Sequence, residues 1–391
     1  YNGEIYNYRE LQSELEGLGY RFRSRCDTEV IVHAWSAWGA DCVHRFRGMF
    51  AFALWDRRRE TLFLARDRMG IKPLYYATLP DGRLLFASEL KALADDPAFP
   101  RAMDPAAVEE YFAFGYVPAP RTIFRHARKL APGHRLRVVR GRPLPEPDCY
   151  WDLNFQNGAW GTQAPEAELI ERLDEAVSMR QIADVPLGAF LSGGVDSSAV
   201  VARMASHSTE PVRTNAISFG QKEFDEARYA AMVAERYGTD HQVRELNPDD
   251  FDLVDRLAGL YDEPFADSSA MPTYRVCELA RSRVTVALSG DGGDETFAGY
   301  RRHRWHMAEE RVRRWLPPGL RGPVFGTLGR WYPKLNQAPK FLRAKSTFQA
   351  LAMDPLEGYL DSMSVVKAPF REQIFSRQFR SELQGYRATE V

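Results

Sequence analysis

The chain has 391 residues, which at roughly 150 residues per domain leaves room for two domains and at most a third. With 52 Lys and Arg against 53 Asp and Glu, the formal net charge is −1, so no electrostatic excess calls for nucleic acid, and 45% hydrophobic residues exclude wholesale disorder. No apolar run reaches the ~18 residues of a membrane span, and four scattered cysteines without CxxC spacing fit the reducing cytoplasm rather than a disulfide scaffold or zinc site.

The opening segment mixes short helices and strands. Leu11, Leu15 and Leu18 share one face of a helix predicted from Tyr8 to Leu18. A second helix is predicted over Thr28–Trp38, with Asp27 as its N-cap. Strands follow at Met49–Trp55, Thr61–Ala65, Leu74–Ala77 and Leu84–Ala87, separated by turn formers such as Pro80-Asp81-Gly82. Strands flanked by helices imply an α+β layer domain. Arg142–Pro147, with three prolines, and the weakly periodic Asn154–Pro165 read as a linker. It divides the chain into domains at 1–145 and 165–391.

Beyond the linker, helix and strand alternate. Helices are predicted at Glu166–Ile182, Ser197–Ala205, Asp225–Tyr237, Asp250–Tyr261 and Thr273–Arg281, and strands at Val185–Leu191, Thr214–Phe219, Gln242–Leu246 and Val284–Leu288. Such alternation builds a parallel, doubly wound sheet, giving an α/β multidomain chain. The Arg-rich 301–330 stretch reads as a solvated helical face.

Chemistry concentrates in three places. The strand Val185–Leu191 runs into Ser192-Gly193-Gly194-Val195-Asp196-Ser197-Ser198, followed by a helix. The glycines let backbone N–H groups approach an anion, and the helix N-terminus adds a positive dipole end. Asp196 repels a phosphate unless a divalent cation sits between them. The spacing is not that of a Walker loop. After the strand Val284–Leu288 comes Ser289-Gly290-Asp291-Gly292-Gly293-Asp294-Glu295, at the strand end where open α/β sheets bind ligands. A helix starting near Asp291 would put its carboxylates close enough to need a cation. Asn2-Gly3-Glu4-Ile5-Tyr6-Asn7 alone is compatible with a simple Asn-Gly turn. The eight histidines form no spaced cluster.

SGGVDSS resembles the pyrophosphate loop of the ATP-pyrophosphatase superfamily, whose members cleave ATP to AMP and pyrophosphate while adenylating a substrate. SGDGGDE…GY and the Asp262-Glu263-Pro264-Phe265-Ala266-Asp267 stretch resemble segments of asparagine synthetase-like enzymes. NGEIYN, Cys26-Asp27-Thr28-Glu29, the run from Arg66 to Tyr76 and Ser88-Glu89-Leu90-Lys91 together resemble a class II glutamine amidotransferase domain, an amino-terminal-nucleophile hydrolase. The wording is most similar to amidotransferases linked to exosortase and exopolysaccharide gene clusters.

The resemblance implies roles by position. Asn2 and Gly3 form the oxyanion hole, and Glu4 and Asp27 hold the glutamine ammonium. Leu191, Ser192, Gly193, Gly194, Asp196, Ser197, Ile217, Ser218, Ser289 and Gly290 surround ATP. Asp291 is catalytic, one methylene shorter than the family's usual glutamate, and Asp196 and Asp294 hold Mg2+. Partners are then glutamine, ATP and a carboxylate, aspartate first, with a homodimer allowed and neither nucleic acid nor membrane. The implied reaction converts ATP, aspartate and glutamine to asparagine, glutamate, AMP and diphosphate. The runner-up is a non-aspartate carboxylate acceptor, and the second class is a non-catalytic nucleotide-binding module, against which the motif set argues.

The family's cysteine nucleophile and its glutamine-carboxylate arginine would precede Tyr1, and its catalytic lysine would follow Val391. The chain as given is therefore expected to bind ATP and glutamine and to turn over neither. Cys26 lacks an α-amine base and is expected to be a buried, inert cysteine. Lys340 and Arg343 lack the flanking pattern of the catalytic lysine, and Lys340 reads as a surface lysine.

Overall fold

Strands in the first third of the chain bury both faces, which fixes a layered arrangement. The computed structural model describes residues 1–155, 165–219, 226–246, 253–333 and 344–390. They divide into two compact units. One holds residues 1–102, 118–263 and 268–290, and the other holds 103–117, 264–267 and 291–391.

In the first unit, β1 (Asn2–Ile5), β2 (Gly48–Asp56), β3 (Thr61–Arg66), β7 (His134–Val139) and β8 (Asp148–Cys149) form an antiparallel sheet. Helices α1 (Tyr8–Gly17) and α2 (Asp27–Trp38) cover one face. Leu11 and Leu15 of α1, and Val30, Ile31, Ala34 and Trp35 of α2, pack there against Phe50, Phe52 and Phe63. The alternate residues Ala51, Leu64 and Leu136 point the other way, onto Leu74, Tyr76 and Leu130. Tyr76 lies on β4 (Tyr75–Thr78), the centre of a second sheet, between β5 (Leu84–Ala87) and β6 (Ala127–Lys129). Helix, sheet and sheet thus form an amino-terminal-nucleophile-hydrolase type of layering. The short helix α3 (Leu90–Ala94) follows β5.

Two expectations change here. Asp27 is the first residue inside α2 rather than its cap, a place held by Cys26. The proline-rich 142–147 is the connection between β7 and β8, so it closes a hairpin in the first sheet. Of the predicted linker, residues 156–164 lie outside the described residues, as do 220–225 and 247–252 at the predicted starts of two helices.

The rest of the first unit is a four-stranded parallel sheet in the order β11 (Asp240–Leu246), β10 (Arg213–Phe219), β9 (Leu187–Phe190), β12 (Val286–Leu288). With α4 (Pro105–Phe114) falling in the second unit, the helices here are α5 (Pro165–Arg180), α6 (Val195–His207), α7 (Ala227–Tyr237), α8 (Leu253–Leu260) and α9 (Ala270–Arg281). Val177, Val201, Met204 and Ala230 of α5, α6 and α7 bury Ala189, Leu191 and Ala216. Helix α9 packs against β10 and β11. This is the doubly wound class that the alternation predicts. Strands β9, β10 and β11 step outward in one direction and β12 joins on the other side of β9, so the order reverses between β9 and β12.

The second unit is helical. Helix α4 is capped by Asp104, whose side chain accepts from Ala106 N, and it ends at Gly115 in the left-handed region. Its last turn carries backbone bonds from Val365 N to Ala113 O (2.7 Å) and from Val366 N to Phe112 O (3.1 Å). The Arg-rich helix at 301–313 is mostly exposed, as its composition predicts, except for Arg313. That guanidinium is buried and donates to Glu310 (2.5 Å) and to Ala350 O (2.6 Å). Among the described residues, no helix is long and apolar enough to cross a membrane.

Candidate functional site

The loop after β9 folds back over the start of α6. Ser192 N and Oγ lie 3.3 and 3.0 Å from Ser197 Oγ, and Gly194 N donates to Ser192 Oγ at 3.2 Å. Gly194 caps α6 with extended backbone, and Gly193 sits at φ +81°. A Cβ on Gly193 would lie 2.5 Å from Ala230 N and from the Tyr229 carbonyl carbon, so only glycine lets the loop pass the start of α7. Ser197 is buried, and its hydroxyl spends its bonds inside the loop, donating to Gly194 O at 3.3 Å. Leu191 is likewise buried in the core, leaving only its backbone to bound a ligand. Asp196 is half-buried in the first turn of α6.

Two other segments reach this loop. Strand β9 ends at Phe190, paired with Asn215, so Ile217 and Ser218 of β10 run on beside the loop. Across the switch point, Gly290 comes so close that an added Cβ would lie 2.7 Å from Ser197 N and 3.0 Å from Asp196 Cβ. Segments nearly 100 residues apart in sequence thus meet at the carboxyl ends of two adjacent parallel strands, with α6 presenting its free N–H groups.

Beyond Gly290 a helix does start near Asp291, two residues further on. Gly292, at φ +92°, interrupts the chain, and a four-residue helix runs from Gly293 to Thr296. Asp291, Asp294 and Glu295 are all exposed. The structure explains the Gly-Tyr that follows. A Cβ on Gly299 would overlap the Asp294 carboxylate, and the Tyr300 hydroxyl donates to Glu295 Oε1 at 2.5 Å. That bond holds the Glu295 carboxyl below its ordinary range. Lys340 and Arg343 lie outside the described residues.

On β1, Gly3 pairs with Phe50 at φ +139°, and a Cβ there would lie 2.1 Å from Met49 O. Asn2 Nδ2 donates to Ser88 Oγ at 3.2 Å. Asp27 Oδ2 accepts from Ile5 N (2.9 Å) and from the Tyr1 hydroxyl (2.6 Å), which ties α2 to the strand. Glu4 is half-buried, and desolvation, reinforced by Asp27, raises its carboxyl above the usual range against the pull of Arg180. Cys26 is exposed rather than buried. Helix α2 begins right after it, so its side chain stays outside the layer, with Sγ 3.4 Å from Asp27 Oδ1.

Several supporting residues escaped the sequence reading. Asp67 is 1% exposed and accepts from the backbone N of Phe50, Met69, Ile71 and Lys72 at 3.0–3.1 Å. Arg66 closes the same loop from its other side through Gly70 O, Lys72 O and Leu130 O. Arg180 lies 4.5 Å from the Tyr6 ring, and Arg47 pairs with Glu175 of α5 at 2.7 Å. Asp262 and Glu263 also reach the amino-terminal layers. Only the Arg66-Asp67 and Asp262-Glu263 strings were visible as motifs, without partners.

The chain matches two known protein families. A glutamine amidotransferase domain covers residues 1–151, and asparagine synthase covers residues 168–388. It is 37% identical over 368 residues to a putative glutamine-hydrolyzing asparagine synthetase of Methanocaldococcus jannaschii, covering 93% of this chain and 70% of that protein. It is 32% identical over 381 residues to a glutamine-hydrolyzing asparagine synthetase of Bacillus subtilis, covering 96% of this chain and 57% of that one. An amidase of Penicillium rubens is 30% identical over 358 residues, covering 82% of this chain and 50% of its own length. The chain thus spans between half and 70% of these relatives. Both motif sets, the layered and doubly wound folds that carry them, and these matches place the chain in the asparagine synthase family, with an asparagine synthetase-type glutamine amidotransferase organisation.

Proposed function

We propose that the protein is a glutamine-dependent amide ligase with two reaction centres. At β1, Asn2 and Gly3 stabilise the oxyanion of glutamine hydrolysis, while Glu4 and Asp27 hold the substrate ammonium. At the switch point, Ser192, Gly193, Gly194 and Ser197 hold the departing pyrophosphate. Leu191, Ile217, Ser218, Ser289 and Gly290 bound the nucleotide. A substrate carboxylate oxygen attacks the α-phosphorus of ATP, pyrophosphate leaves, and an acyl-adenylate forms. Ammonia then attacks the acyl carbon, AMP departs with its bonding electrons, and the excess proton passes to a base or to water. Asp291 is the acid group we assign to that step, and aspartate is the first-choice acceptor.

The close approach of Gly290 to the start of α6 supports this reading most strongly, because it joins both nucleotide motifs in one place. Among the described residues, no three His, Cys, Asp or Glu side chains converge as a metal cage. The donor chemistry suits magnesium bound mainly by phosphate and water, with Asp196 supplying a carboxylate beside the loop. When bound, the ion neutralises phosphate charge.

Exchange of labelled pyrophosphate into ATP, run against a panel of carboxylic acids, tests the proposal. Exchange that requires aspartate supports it. Exchange with another acid moves the acceptor, an outcome made relevant by the amidase among the relatives. ATP binding by the 391 residues with no exchange on any acid agrees with the sequence expectation of binding without turnover; the same result with the intact protein leaves a non-catalytic nucleotide module.

Glutamine binding should also depend on pH. The groups acting on Glu4 are Asp27, Arg180, Asp184 and Lys72. Its carboxyl is raised, so it is still taking up protons above the ordinary glutamate range of about 4.3. Affinity for the glutamine ammonium is expected to rise with pH through that raised window and then level off. Titration calorimetry between about pH 5 and 8 checks this, and a Glu4→Gln variant should lose most of the affinity and this dependence.

A further inference from the structure

Asp262 and Glu263 follow α8, yet both carboxylates end on the amino-terminal layers. Asp262 Oδ2 accepts from Leu90 N at 2.5 Å, and its Oδ1 lies 3.2 Å from Lys91 Nζ. Leu90 opens α3, so the carboxylate takes one of the N–H groups that a helix start leaves without an internal partner. Two residues earlier, Ser88 Oγ accepts from Asn2 Nδ2 at 3.2 Å. Residues 88–90 are therefore held by Asn2 at one end and Asp262 at the other.

Glu263 grips elsewhere. It accepts from Ile123 N at 2.7 Å and pairs with Lys129 at 2.5 Å. Lys129 ends β6, on the opposite edge of the three-stranded sheet from β5, which leads into Ser88. The two side chains are comparably buried, 12% and 11% exposed. Adjacent, equal in charge and alike in burial, they part at the sheet: Asp262 holds the helix that follows β5, and Glu263 holds the end of β6.

An asparagine amide has two N–H donors on one nitrogen. Once Ser88 takes one, the rotation of the amide is fixed and so is the direction of the second. We infer that Asp262 is a positioning residue for the glutamine site: by fixing residues 88–90 it sets, through Ser88, the aim of the Asn2 amide. The inference rests on the proposed glutaminase role of Asn2. It assigns control of that site's geometry to a residue of the region matched by asparagine synthase.

The test uses the purified chain, with glutamine and MgATP titrated calorimetrically and amide hydrogen exchange read by mass spectrometry. Asp262→Asn is expected to weaken glutamine five- to tenfold, to speed exchange in residues 2–5 and 88–90, and to leave MgATP affinity within twofold. Glu263→Gln, the control on the opposite edge, should leave glutamine affinity and exchange in 2–5 within twofold. Ser88→Ala should reproduce the loss, and the double variant should lose no more than either single one. Unchanged exchange in residues 2–5 of Asp262→Asn overturns the inference, as does an equal loss in Glu263→Gln. A wild-type chain that takes up no glutamine overturns the glutaminase reading instead, and exchange in residues 2–5 still decides whether Asp262 positions the strand.

Discussion

Replacing Gly193 with alanine is expected to weaken ATP binding by at least about 100-fold, roughly 3 kcal/mol. The added Cβ would lie 2.5 Å from Ala230 N, from the Tyr229 carbonyl carbon and from Tyr229 Cβ. Two of those atoms are main chain at the start of α7, so no rotamer change relieves the overlap. The residue also sits at φ +81°, which costs a side-chain-bearing residue on the order of 1 kcal/mol by itself. The loop must therefore move off α7, and its N–H groups lose their aim at the phosphates. Gly194→Ala is the internal control. Among the described residues its Cβ would meet only Ser192 Oγ, at 3.3 Å, and a hydroxyl can swing away. That change should cost less than about tenfold in affinity. Titration of both variants with MgATP, with circular dichroism to confirm the fold, decides the matter. Wild-type affinity in Gly193→Ala would remove the loop from the nucleotide site.

Arg371→Met should strongly destabilise the helical unit. Arg371 is 4% exposed and places Nε and Nη2 at 3.0 and 2.9 Å from Glu109 Oε1, and Nη1 donates to Val366 O. Removing the cation leaves the Glu109 carboxylate buried without its counter-charge, a loss of about 3–5 kcal/mol. The Glu109→Gln/Arg371→Met pair should recover part of that, because no lone charge is then buried. Denaturant titration of the two single variants and the pair measures both terms. Additive losses would mean that the ion pair is not what the unit depends on.

The local chemistry was legible where one short segment held all of its own determinants. An apolar run, two glycines and a helix start announced β9 and α6 without help from elsewhere. The alternation up to Leu288 likewise gave the doubly wound sheet, because β-branched runs and helical periods differ within a few residues. Legibility failed where a residue type serves two structures. Three prolines at 142–147 suit a linker and a hairpin connection equally, and only pairing of His134 with Cys149 separates them. The helix expected near Asp291 starts at Gly293 and lasts four residues, because carboxylate spacing is blind to a left-handed Gly292. Nothing in the Asp262-Glu263 string points to its partners, because Leu90 and Lys91 lie more than 160 residues away. No periodicity carries that distance.

The strand order of the parallel sheet also sets an order of assembly. Asn2, Asp27 and Ser88, the side chains gathered at β1, are all synthesised within the first quarter of the chain. The loop at 192–197 is different, since one of its walls is Gly290 and the strand beneath that wall is β12, which among the described residues pairs only with β9. A chain leaving the ribosome at 5–20 residues per second thus holds a one-sided nucleotide loop for roughly 5–20 s. During that interval β9 keeps an open edge, which is an invitation to mispairing. A nascent-chain chaperone would therefore find an exposed strand edge after the amino-terminal layers are made and before β12 arrives.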